Sequence, residues 1–204
     1  GSAEATVHSR VVRINAQSFI GSGVTDVGIR QHIRQANVIW AQAGLEIEER
    51  AVNTSVPPAG LIDLHHVDVT SPNQSSLQEQ RLIGRQPGGP TRSAVLTDLN
   101  VFYVKRIGED RQGEELVGLS YAQKFPRVQR TIALVPSLMN ENSLSHEMGH
   151  QLLIDWGDEH FDHSSPPKPW PITNVMIAGI DLDKTQVENI LANTANHPFI
   201  IFEP

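Results

Sequence analysis

The chain contains no cysteine. Disulfides and thiolate metal ligands are therefore excluded, while compartment stays open, because cysteine-free proteins occur on both sides of the membrane. No apolar run approaches the ~20 residues that a membrane-spanning helix needs, and no signal-peptide pattern is visible. Gly1-Ser2 reads as a cloning scar, so the missing leader says nothing about export. Positive charge is scarce, with 16 Lys+Arg against 23 Asp+Glu and a net charge of −7. Phosphate backbones need clustered positive charge, so a nucleic-acid partner is not expected. Repeats and low-complexity tracts are also absent, and Tyr103 and Tyr121 are the only tyrosines. What remains is 204 residues, 39% of them hydrophobic, enough for one sizeable core and a single domain over 1–204.

The most informative stretch that is present is His146-Glu147-Met148-Gly149-His150. Histidines at i and i+4 lie on one helical face about a turn apart, so both imidazoles can reach a single ion. Glu147 then lies beside the metal, where it can accept a proton from a bound water. The surroundings agree with a helix. Residues 131–136 read as a short buried strand stopped by Pro136, and Asn140-Glu141-Asn142-Ser143 offers N-cap residues. Leu144, Met148 and Leu152 then recur at core-facing spacing, His146, His150 and Leu153 form a neighbouring stripe, and Gly157 is a plausible stop. A core helix whose histidines merely bond their neighbours is the bland alternative, and the paired histidines around a glutamate weigh against it.

A hydrolytic zinc wants three protein ligands and one open position. Asp155, Asp158, Glu159, His160, Asp162 and His163 follow the helix closely. Asp155 is rotated off the ligand face, whereas His160 and His163 lie past Gly157 and carry the imidazole that suits zinc. Asn174-Val175-Met176-Ile177-Ala178-Gly179 reads as a tight turn enclosing a methionine. The acids at 158–162 and Asp181 with Asp183 could hold calcium only as scattered loop carboxylates, which is weak support.

Elsewhere the spacing predicts a strand over 7–15 and a helix capped by Thr25 or Asp26. Ile29, Ile33, Ala36 and Trp40 fall on one face of that helix, and Gly44 ends it. A strand resumes over 45–50. Residues 53–60 are turn-rich, 61–69 extended, 71–76 a polar loop and 86–90 a flexible surface connection. A middle strand is expected over 95–106, a solvated hairpin tip over 109–115 and a rim strand over 118–123. The proline-rich segment 166–171 would be a stiff wall beside the metal. His8, His32 and His197 are isolated, and His65-His66 would point to opposite faces of a strand.

Three segments together resemble the metzincin clan of zinc endopeptidases: His146-Glu147-Met148-Gly149-His150, Asp162-His163-Ser164-Ser165-Pro166, and Asn174-Val175-Met176. The second is similar to the third-ligand segment of matrix metalloproteinases, and the third to the Met-turn that floors the site. The resemblance implies His146, His150 and His163 as zinc ligands, Glu147 as general base and Met176 as a structural floor. The chain departs from the clan pattern at Leu153 and Trp156, where the clan carries glycine and histidine. His163 lies seven residues beyond that position, at 163 rather than 156. His160 and an acid such as Glu188 therefore stay open as third ligands. Ala178 stands where some members place an extra tyrosine.

The resemblance implies an α+β, zincin-like domain: a mixed twisted sheet, a backing helix, the active-site helix and a closing C-terminal helix over 182–195. The expected activity is zinc-dependent endopeptidase, with a protein or peptide as substrate, neutral or basic by the charge balance. Residues 118–123 would receive that substrate by strand addition. A monomer is expected, secreted or delivered as an effector rather than resident in the cytoplasm. Two other readings are a non-proteolytic zincin-fold binding module and a peptidase toxin or effector domain of a larger bacterial protein.

Overall fold

Strand β1 (Ser9–Phe19) organises the sheet, because its alternation sends Val12, Ile14 and Ala16, all fully buried, to one face. It runs parallel to β2 (Leu45–Ser55) along one edge, with a register shift between Ile14 and Asn15. Along its other edge the first residues pair antiparallel with β6 (Ile200–Glu203), and the later ones pair parallel with β3 (Leu99–Tyr103). β3 pairs parallel with β5 (Thr131–Leu134), and β5 pairs antiparallel with β4 (Gly118–Tyr121). The order is β2-β1-β3-β5-β4, a mixed sheet ending on β4. This computed structural model describes residues 9–66, 76–109, 113–121, 130–153, 181–182, 184–193 and 200–203.

Helix α1 (Asp26–Trp40) backs one face. Thr25 Oγ1 accepts the Gly28 N–H at its start, and a short 3-10 turn (Ala41–Ala43) ends at Gly44, whose φ of 68° is the left-handed stop the sequence promised. Ile29, Ile33, Ala36, Ile39 and Trp40 are buried against the sheet. Helix α3 (Ser143–Leu152) packs beside it with Leu144, Met148 and Leu152, and α4 (Lys184–Asn193) adds Ile190 to the same core. The opposite face carries a smaller core of Phe19, Phe102, Val104 and Ala133. Leu61, Leu64 and Leu82 cover it, the last from α2 (Leu77–Leu82).

Several expected boundaries move. β2 runs on through Asn53–Ser55, into the stretch read as turn-rich, because its whole length pairs with β1. The middle strand shrinks from 95–106 to Leu99–Tyr103, since Val95 and Leu96 are exposed and precede the pairing. Residues 61–66 are irregular except for a bridge between Asp63 and Arg106. A bridge between Glu109 and Glu115 agrees with the hairpin tip. Helix α3 ends at Leu152 with Leu153 as its C-cap, so Leu153 is not within the helix, and Gly157 lies outside the described residues. Helix α2 was not expected at all. A capping box makes it: Ser76 accepts the Glu79 N–H at 3.2 Å, and Glu79 accepts the Ser76 N–H at 2.9 Å.

Candidate metal centre

Helix α3 is set in place by side chains outside it. Its N-cap, Asn142, makes no side-chain cap bond; instead its Oδ1 accepts Gln35 Nε2 from α1 at 3.0 Å. Asn140 folds the preceding turn, accepting the Asn142 N–H at 2.8 Å, while the Ser143 hydroxyl accepts the Asn140 N–H at 3.0 Å. With Leu144, Met148 and Leu152 committed to the core, the 3.6-residue repeat leaves two further stripes. One carries His146 and His150. The other carries Glu147 and Gln151, facing β4.

The two imidazoles lie with ring centroids 4.9 Å apart and planes at 89°. His146 Nε2 is 4.0 Å from Glu147 Oε1. Two neutral imidazoles on one helical face, with a carboxylate beside them, fit two of the three ligands of a hydrolytic zinc and its base. Among the described residues no group of three metal-ligating side chains occurs. His160, His163 and Met176 all lie outside the described residues. Glu188 faces solvent on α4, ion-paired with Lys184 at 3.4 Å and with 61% of its side chain exposed.

Glu147 is the most perturbed acid of the site. Burial pushes its carboxyl up to about 8, and a hydrogen bond from the Ser120 backbone works in the opposite direction. A cation beside it would favour the charged form further. Sequence reasoning did not single out the strand residues that meet this side chain. Ser120 and Gly118 of β4 meet the Glu147 side chain, and Gln151, fully buried, donates to Ser120 Oγ at 2.6 Å. The signal available in the sequence was the placement of Gln151 four residues after Glu147, on the same face.

Behind β4 lies a second polar cluster. Glu79, buried on α2, accepts His66 Nδ1 at 2.8 Å and the Tyr121 hydroxyl at 3.2 Å. Burial works to raise the Glu79 carboxyl, but the His66 and Ser76 hydrogen bonds outweigh it and leave it below the ordinary carboxylate value. Burial, and then the Glu79 charge, hold the Tyr121 phenol well above its ordinary range. His66 thereby anchors α2. His32 stacks on Tyr103 at 5.8 Å, its Nδ1 3.3 Å from the phenol oxygen, and burial lowers its pKa.

Together these features define an α+β domain of zincin-like, metallopeptidase-like fold. No protein-family model matches the chain, and no curated protein matches it. Solved structures do. Metalloproteinase-II from Bacteroides fragilis is similar over 93% of this chain and 54% of that one, at 13% identity and a TM-score of 0.51. A chaperone–substrate complex is similar over 95% of this chain and 35% of that one, at 16% identity and a TM-score of 0.55. The chain thus spans about half of the first structure and about a third of the second. At such identities the likeness is one of fold.

Proposed function

We propose that the chain is a zinc-dependent endopeptidase, a single catalytic domain in which His146 and His150 hold the metal and Glu147 is the general base. The observation that carries this reading is the pairing of His146 and His150, rings 4.9 Å apart, with a buried carboxylate on the adjacent residue. Zinc, when bound, supplies a Lewis acid and a water acidic enough to act as nucleophile near neutral pH.

The chain's own residues do the rest. Glu147 takes the proton of the attacking water and passes it to the leaving amine. Its burial keeps competing bulk water away, and a base whose pKa is lifted toward neutrality both accepts and returns a proton readily. Strand β4 is the last strand of the sheet among the described residues, so the outward groups that Glu147 does not occupy can pair with an extended peptide. His163 is the third ligand in this reading, supported by its resemblance to the third-ligand segment of matrix metalloproteinases, and Met176 the floor beneath it.

The test joins metal content with turnover on a peptide library. Glu147→Gln should bind zinc like the wild type and lose cleavage, and a chelator should abolish cleavage by the wild type. Peptidase activity retained by Glu147→Gln would remove Glu147 from its role. A wild type that binds zinc and cleaves nothing would point to a binding module on the same fold.

A further inference from the structure

Among the described residues the last strand of the sheet, β4, meets the active-site helix at Glu147 and, a turn further on, at Gln151. Val135 donates to Val117 O at 2.9 Å, and the register continues as Gly118 opposite Leu134 and Ser120 opposite Ile132. In an antiparallel ladder hydrogen-bonded and non-bonded pairs alternate, so Gly118 and Ser120 turn their N–H and C=O groups away from β5. The Ser120 N–H therefore points off the edge, where it meets the Glu147 carboxylate. A Cβ added at Gly118 would stand 2.5 Å from Glu147 Oε1 and 2.8 Å from its Cδ and Cγ. No side chain fits there unless the carboxylate moves.

One helical turn further, Gln151 fixes how near the strand comes. Its Nε2 donates to Ser120 Oγ at 2.6 Å and to Thr131 O at 3.3 Å, and its Oε1 accepts from Arg130 at 3.4 Å. Gln151 is fully buried, so these bonds do not compete with water. Helix α3 is thereby clasped to both β4 and β5 by a single amide.

We infer that Gly118, Ser120 and Gln151 are positioning residues for Glu147. Gln151 sets the spacing of strand and helix, Gly118 leaves the slot for the carboxylate, and the Ser120 N–H holds it there. This inference rests on the reading of Glu147 as the base.

The test uses the full chain in two forms. In the zinc-loaded protein, Gly118→Ala should lower kcat roughly 100-fold, the size of effect expected when a reacting group is misplaced by about 1 Å. KM and zinc content should stay near wild type. In the zinc-free protein, the Ser120 amide proton resonance should move upfield in Gly118→Ala, because the displaced Glu147 carboxyl no longer accepts that N–H. An unchanged kcat, or a Ser120 resonance that stays put in Gly118→Ala, would overturn the inference. Should Gly118→Ala fail to fold, Ser120→Ala keeps the amide and deletes only the clasp hydroxyl. It should lower kcat several-fold with unchanged KM and zinc, and wild-type kcat in that variant would again count against the proposal. If the wild type cleaves no peptide, the base assignment fails, and the zinc-free amide shifts still decide whether the slot and tether exist.

Discussion

Helices α1 and α3 pack side by side on the same sheet face, yet they are specified in opposite ways. α1 carries its own instructions: a threonine cap, a buried stripe of Ile29, Ile33, Ala36, Ile39 and Trp40, and a left-handed glycine after its last turn. α3 has no side-chain cap bond and no glycine at its C-cap, and it buries Ser143, Ser145, Glu147 and Gln151 alongside its leucines and methionine. Its neighbours hold it, through Gln35 from α1 and Ser120 and Thr131 from the sheet. A scaffold helix can be built from local preference, whereas a helix that must present polar chemistry borrows stability from elements already in place.

The largest test of this contrast is catalytic. Glu147→Gln should reduce turnover by a factor of roughly 10²–10⁴, the range of general base catalysis, with unfolding little changed; turnover kinetics beside a urea melt measures both. Next comes the scaffold. Trp40→Ala should cost about 3–5 kcal/mol in urea unfolding, since a fully buried ring leaves a cavity under the sheet. A smaller loss would mean that α1 matters less than its packing suggests.

Gln151→Met keeps the volume of the clasp but removes one hydrogen bond each from Ser120 Oγ, Thr131 O and Arg130. It should cost about 1–3 kcal/mol, more than any single cap. Thr25→Ala should cost about 1 kcal/mol through the lost cap of α1. If the two substitutions proved equal, α3 would be no more dependent on its neighbours than α1.

The smallest expected effect is on pH dependence. The Glu79 carboxyl is held below its ordinary 4.5 in the folded protein. A depressed pKa means that the unfolded chain binds the proton more readily, so the contribution of Glu79 is complete above its ordinary pKa and lost as pH falls through the folded value. Acid unfolding of Glu79→Gln, followed from pH 6 downward, should therefore be less steep than that of wild type. An identical slope would mean that the His66 and Tyr121 bonds do not stabilise the charged form.

The same contrast explains what was legible beforehand. Thr25, the apolar stripe and Gly44 marked α1 almost residue by residue, and the His–Glu–His spacing fell on a helix, α3. β3 was overextended because Val95 and Leu96 are apolar yet exposed, and composition alone does not reveal which apolar residues find a partner strand. The capping box of α2 stood in the sequence as Ser76 and Glu79, but the six-residue helix it starts has only Leu77 and Leu82 as apolar positions, too few to show a period. The contacts of the base were out of reach for a different reason. Ser120 and Gln151 are 31 residues apart, and nothing local in either segment announces that they meet. The likeness to the Met-turn and third-ligand segments concerns residues outside those described, so His163 and Met176 remain parts of the proposal.

Zinc stoichiometry by elemental analysis, on wild type, His150→Ala and Glu147→Gln purified identically, is the most direct measurement. The account predicts one zinc per chain in wild type and in Glu147→Gln, and none tightly held in His150→Ala. Equal zinc in all three, or none in the wild type, would contradict a metal centre on α3.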